Sequence, residues 1–406
     1  MKHLRKALAV LLAAGMALPM FCGCMGPISL DEFGYVLSIG VDQGQQKKFN
    51  ISFLLQKEGE SQDTQMGAGA YIVSAEGDDF FDALAVANAS LPYELNFTRN
   101  DFILFSDQIA SSGLLNEFLS ISFNDIKLRQ STKMMVVRGQ SADFFAGLAS
   151  ADLPNVAKRQ YSYLITYKQD GTIPLTSLTL FWEAVGTGWF DIILPLGEVD
   201  RSIAVDSGSG ETQQDQQEQP GENDTTGGVK RTGGLRSYVL GSALFNGNRL
   251  AGVLNDFDTE LILMMLGEFE NGYVSLTDDW GTVVFMLKAV KKPKVALTLG
   301  DAPHAQASVS MYAEIQLDTS SSAQERWDDQ VKGELEGYLA AELGRVFSRC
   351  RELNSDAMRF GRYACEQFRD IEQWRDYAWK DHYKRMTAEF NVDIVLNERT
   401  ISSHMQ

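Results

Sequence analysis

Apolar residues recur along this chain with two periods. Tyr35–Asp42 and Phe49–Gln56 are apolar runs of strand length, and Asp42–Lys48 between them has the polar make-up of a hairpin turn. Tyr71–Ala75 reads as a third strand. Asp79–Ala89 reads as a helix, with Phe80, Leu84 and Ala87 at helical spacing. The alternation continues with a strand at Phe102–Phe105, a helix around Leu114–Phe118 and a strand at Met134–Val137. A helix from Ser141 to Leu148 follows, with Ser141 as its N-cap. Tyr161–Tyr167 is expected as a strand, Leu175–Ala184 as a helix and Phe190–Leu196 as a strand.

Further on, Ser237–Phe245, the turn Asn246-Gly247-Asn248 and Leu250–Leu254 predict a hairpin. A short helix at Asp256–Leu266 is closed by Gly267. Strands are expected at Gly281–Lys291, Lys294–Leu299 and Ala305–Leu317. A long amphipathic helix, about Ser322–Arg351, carries the stripe Val331, Leu335, Leu339, Leu343, Val346, Phe347 and Cys350. Asp356 caps a second helix bearing Phe360, Ala364 and Phe368. An aromatic helix with Trp374, Tyr377 and Trp379 follows, and Phe390–Leu396 closes the chain as a strand. Strands, then helices, then a closing strand predict an α+β fold of mixed or antiparallel sheets with packed helices. The C-terminal domain is expected to be an antiparallel sheet with long amphipathic helices.

One stretch breaks the pattern. Residues 203–235 hold Gln213, Gln214, Gln216, Gln217 and Gln219 among acids, glycines, serines and threonines, and bury too little apolar surface to offset ordering entropy. They read as a disordered linker or long surface loop between an N-terminal α+β region (24–202) and a C-terminal α+β domain (236–402).

Residues 1–23 read as an address. Lys2, Arg5 and Lys6 precede the uncharged apolar run Ala7–Phe21, which leads into Cys22-Gly23-Cys24. Pro19, Gly23, Gly26 and Pro27 interrupt a membrane-spanning helix of about 20 residues. Gly23-Cys24 fits a bacterial lipobox, with cleavage between Gly23 and Cys24 and an S-diacylglycerol and N-acyl group on Cys24. Two or more acyl chains hold a protein at a membrane where one does not. Phe21 stands where Leu is usual, and Cys22 is a rival acceptor.

The formal net charge is −18. Such a chain repels phosphate backbones, which argues against nucleic-acid partners, and its attachment to an anionic membrane has to come from the lipid rather than from charge. The four histidines, His3, His304, His382 and His404, make no metal-ligand spacing with one another. There is no P-loop and no G-x-S-x-G elbow. Asp78-Asp79, Asp278-Asp279 and Asp328-Asp329 read as helix caps or solvated turns. No metal, no cofactor and no catalytic set is expected. Cys350 and Cys365 lie at a spacing that allows a disulfide, with two buried free thiols as the alternative. Trp374, Tyr377 and Trp379 read either as a ligand-stacking platform or as core, with Trp374 and Tyr377 packed inside and Trp379 at the rim.

Segments in order along the chain resemble the Ger(x)C family, the lipoprotein C subunit of bacterial spore germinant receptors. They are Leu30-Asp-Glu-Phe-Gly-Tyr-Val-Leu-Ser-Ile-Gly-Val-Asp42, Asn96-Phe-Thr-Arg-Asn-Asp-Phe-Ile-Leu-Phe105 with Ile109–Gly113, and Ala243-Leu-Phe-Asn-Gly-Asn-Arg-Leu-Ala-Gly-Val-Leu254. The long helix, the Phe360-Gly361 pair and the closing Asn391-Val-Asp-Ile394 keep the same order. The sequence departs from the family at Met25-Gly26, at Phe123-Asn-Asp125 and in the length of its linker. The resemblance implies three α+β modules, two of them within 24–202 and divided near Leu153-Pro154. It also implies a non-enzymatic, lipid-anchored subunit partnered by the receptor's A and B membrane subunits, on the outer face of the inner spore membrane. The alternative is a lipid-anchored solute-binding protein of a transporter, which would need two doubly wound lobes.

Overall fold

Apolar residues on both sides of the same strands build the larger of two sheets. The structure is a computed structural model, and it describes residues 33–56, 70–122, 128–149, 164, 173–200, 234–278, 281–319 and 324–397. Strands β1 (Phe33–Gln43), β2 (Phe49–Gln56) and β3 (Ala70–Gly77) form an antiparallel meander. Helix α1 (Phe80–Ala89) follows, its first N–H groups accepted by the Asp79 side chain. The chain then forms β4 (Glu94–Asn96), β5 (Phe102–Ser106), α2 (Asp107–Ser112), α3 (Leu115–Ser122), β6 (Lys133–Val137) and α4 (Ser141–Ala149). It continues through α5 (Leu178–Thr187), β7 (Ile193–Val199), β8 (Ser237–Asn246) and β9 (Arg249–Leu254). The sheet order is β3-β2-β1-β5-β6-β7-β8-β9, with β4 beside the start of β1. Strands β1, β5, β6 and β7 are parallel, and both flanks are antiparallel.

Parallel strands are normally covered on both faces, and here they are. On one face Phe49 and Phe105 meet Phe118 of α3 edge-on at 5.8 Å, and Phe53 meets Phe80 of α1 at 6.0 Å. On the other, Leu54, Phe102 and Leu104 pack with Phe144 and Phe145 of α4. This two-sided cover makes every residue of β5 buried.

The smaller sheet runs β10 (Asn271–Asp278), β11 (Gly281–Thr298), β12 (His304–Asp318) and β13 (Thr387–Leu396) in that spatial order. One face is covered by α6 (Asp256–Leu266) and α7 (Gln324–Glu352), and every residue of the expected α7 stripe is buried. Short helices α8 (Phe360–Cys365), α9 (Ile371–Tyr377) and α10 (Trp379–Tyr383) complete the layer. Among the described residues no helix is long and apolar enough to cross a membrane.

Several expectations change. Strand β10 was not anticipated, because Asn271-Gly272 and the polar outer positions Ser275 and Thr277 masked its alternation. The strands expected at 281–291 and 294–299 are one strand, which passes Pro293 with register irregularities on either side of Lys291. Strand β13 pairs parallel to β12, so this sheet is mixed rather than wholly antiparallel. Its partner is delivered by the long α7–α10 crossover, which parallel pairing requires. Of Tyr161–Tyr167 only Leu164 is described, and it is helical and buried. Ser141 is the first residue of α4 rather than its cap. The aromatic helix is two helices, broken at Ala378, whose φ is 50°. Strands β7 and β8, on either side of 201–233, pair with each other, so β8 and β9 complete the larger sheet.

Helix α6 begins where the Asn255 side chain accepts the Asp258 N–H at 2.7 Å, and it ends at Gly267 with φ of 67°. Asn255→Ala is expected to cost about 1 kcal/mol in a urea titration. A change within error would show that tertiary packing alone holds this terminus.

Candidate functional site

The most concentrated polar chemistry lies where the larger sheet meets the C-terminal helices. Asp191 sits in the turn before β7, and Asp356 in the loop between α7 and α8. Their exposures are 2% and 0%. The Asp191 N–H donates to the Asp356 carbonyl at 3.1 Å. The Asp191 carboxylate accepts the N–H groups of Asp356 at 2.6 Å and Gly247 at 2.7 Å, and pairs with the Lys380 ammonium. Lys380 also donates to the Asn354 carbonyl at 2.9 Å. The Asp356 carboxylate accepts from Phe360 N at 2.9 Å, Gly361 N at 2.7 Å and Trp379 Nε1 at 2.9 Å. Burial pushes its carboxyl up to about 7, opposed by the Gly361 N–H.

Further bonds cross the same joint. Ser355 Oγ donates to the Phe245 carbonyl at 2.6 Å, and Tyr383 Oη to the Ser355 carbonyl at 2.9 Å. Trp374 Nε1 reaches the Thr187 carbonyl, and Arg362 pairs with Glu183 at 2.5 Å while lying 4.3 Å from the Phe190 ring centroid. A Cβ on Gly361 would run into the Trp189 carbonyl oxygen, so only glycine fits there. Among the described residues, all non-glycine residues with positive φ lie in this loop system: Asn354, Arg359 and Ala378. Such backbone persists only where surrounding contacts over-determine it.

A third buried carboxylate explains the Ile39-Gly-Val-Asp42 motif. Asp42 accepts Ser141 N at 2.7 Å, Ser141 Oγ at 2.9 Å and Ala142 N at 3.2 Å, so β1 caps α4 from across the sheet. Gly40 lets Ser141 and Phe145 approach the strand. Burial raises the Asp42 carboxyl above its ordinary value despite these bonds.

These carboxylates are shielded from solvent and occupied by backbone N–H, hydroxyl, ammonium or indole donors. They can hold two layers together but offer no open base or nucleophile. Asp356 was legible as a cap. Asp191 was not, although an acid at the mouth of the apolar run 190–196 is the signal that marks it.

The other candidates disperse. Gly23 and Cys24 lie outside the described residues, as do His3 and His404. Cys350 is a free thiol on the buried stripe of α7, and Cys365 is a free thiol at the end of α8, directed to the Arg362 carbonyl at 3.1 Å. Burial raises both thiols. Asp79 caps α1, and Asp78 pairs with Lys47. His304 meets Thr387 Oγ1 at 2.9 Å, and His382 stacks on Tyr377 at 4.1 Å. Among the described residues no three His, Cys, Asp or Glu side chains gather as a metal site. Trp374 and Trp379 are both buried while Tyr377 stands at the rim, the reverse of the order expected for Tyr377 and Trp379. Both indoles are tied into the joint, which leaves no stacking platform.

Residues 27–199 match the family profile described as "Spore germination protein N-terminal domain". Residues 240–399 match "Spore germination B3/ GerAC like, C-terminal". Among curated proteins none matches this sequence. In fold the chain is similar to the solved structure titled "Crystal Structure of the GerBC protein", at 13% identity and a TM-score of 0.50, covering 89% of this chain and 97% of that one.

Proposed function

This chain belongs to the GerAC-like spore germination family, and from that premise we propose that it is the lipid-anchored, non-enzymatic C subunit of a spore germinant receptor. The observation that carries the reading is the joint. The buried bonds of Asp191 and Asp356 unite the regions that match the two family domains into one body, and their chemistry is spent on holding position. An acidic chain whose buried Asp42, Asp191 and Asp356 carboxylates are spent on holding position suits a scaffold that couples nutrient sensing to germination. Its partners are the receptor's A and B membrane subunits, and its place is the outer face of the inner spore membrane. The Gly23-Cys24 lipobox supplies the anchor, and confinement at a membrane raises the effective concentration of weakly binding partners.

Intact-mass measurement of membrane-extracted protein is expected to give a diacylglyceryl-modified, N-acylated chain beginning at Cys24 that retains two polytopic partners. Cys24→Ala is expected to release the protein from the membrane fraction and blunt nutrient-triggered germination. An unmodified chain that stays soluble and leaves germination intact would refute the proposal.

A further inference from the structure

Helix α1 turns a side without charge to solvent. Between Asp82 and Glu94 no residue is charged, and Ala85, Val86, Ala89 and Pro92 are exposed, Val86 to 56%. A surface helix normally gives its outer face to polar and charged residues, and an apolar one marks a surface that meets something other than water. This surface ends at the start of β1. The Asn88 side chain accepts the Leu95 N–H at 3.0 Å, which ties the last turn of α1 to β4, and β4 runs beside Phe33–Tyr35. Tyr93 lies over Gly34, where a Cβ would strike its ring. Arg99 sits 4.0 Å above the Tyr35 ring centroid, exposed and paired with no acid among the described residues.

On the premise that Cys24 carries acyl chains, we propose that this corner, Val86 to Tyr93 with Arg99 beside it, rests on the phospholipid headgroups of the same membrane. The choice of occupant follows from reach. Nine residues lead from Cys24 to Phe33, and they span about 30 Å at most. Strand β1 has 11 residues and is about 35 Å long. The tether is too short to run the length of β1 and turn its far end to the membrane, so the near end, with the last turn of α1, faces lipid. The side chains there suit that layer. Tyrosine rings settle between acyl chains and water, and a guanidinium pairs with phosphate. Charge orients the body the same way. Asp78, Asp79, Asp82, Asp107 and Asp143 lie around the far ends of β1, β3 and β5, where Lys47 and Lys48 are paired with Asp78 and Glu117. An anionic bilayer repels that end.

The test uses the full-length chain purified from membranes of the producing cell, with its acylation confirmed by mass. A Cys365→Ser background leaves only the buried Cys350 thiol, so that an added cysteine alone takes a dye. The protein is placed in vesicles of phosphatidylcholine and phosphatidylglycerol that carry a nitroxide on the headgroup. A dye at Glu94→Cys is expected to be quenched at least threefold more than one at Gln46→Cys, in the turn at the far end of β1. Val86→Glu with Arg99→Glu is expected to remove the difference while the protein stays on the vesicles, because the acyl chains are untouched. Both side chains are exposed, and an unchanged urea midpoint separates lost contact from misfolding. Equal quenching at the two positions, or a difference that persists in the double variant, would overturn the inference and leave the anchor standing. A difference seen only when the receptor's membrane subunits are present would assign the corner to a protein partner and overturn it too. A chain without acyl groups that fails to bind vesicles would overturn the anchor and this inference together.

Discussion

Asp356→Ala is expected to lower stability by about 3–5 kcal/mol near neutral pH, the cost typical of removing one member of a buried charged network. The substitution strands the N–H groups of Phe360, Gly361 and Trp379 where no water reaches them. It also removes the anchor of a loop that holds Asn354 and Arg359 in left-handed backbone. Asp356→Asn should recover only part of the loss, since one accepting oxygen becomes an NH₂ group that faces other donors. Urea titration of both variants followed by tryptophan fluorescence measures this, because Trp374 and Trp379 both lie in the joint. A loss below about 1 kcal/mol, the ordinary worth of a single exposed hydrogen bond, would mean the joint is not what unites the two layers.

The second large effect is a gain. Glu260 lies on α6 beside Asp256, with Oε2 buried and unpartnered. Burial, helped by the Asp256 charge, lifts its carboxyl from 4.5 to about 8. The folded chain therefore binds this proton more tightly than the unfolded chain. The contribution is fully present below pH 4.5 and is lost progressively as pH rises to about 8. At about 1.4 kcal/mol per pKa unit, Glu260→Gln should be more stable than the parent by on the order of 3 kcal/mol at neutral pH. Near pH 4.5 the advantage should vanish. Denaturation across this range reads the effect directly, and parallel curves for parent and variant would refute it.

Much of the architecture was legible in the sequence because it rests on local periodicity. The α7 stripe recurs at helical spacing and is buried as expected. Asp256 and Gly267 bound α6 as read from the sequence, and the structure adds Asn255 as its cap. The Asn246-Gly247-Asn248 turn similarly announced the β8–β9 hairpin. The weaker signals were lost. Strand β10 keeps too few apolar residues on its outer face to show its alternation, and Pro293 made one strand look like two.

The sequence by itself determined most of the elements, the ends of α6 and the polar composition of 203–235, because each depends on residues near one another in the chain. Only the tertiary structure decided that β7 pairs with β8, that β13 enters parallel to β12, and that Asp42 caps α4 from across the sheet. It alone brought Asp191 to Asp356 and Lys380. The physical reason is the same in each case. A buried carboxylate is stable only where donors from separate segments converge on it, and sequence spacing carries no record of that convergence.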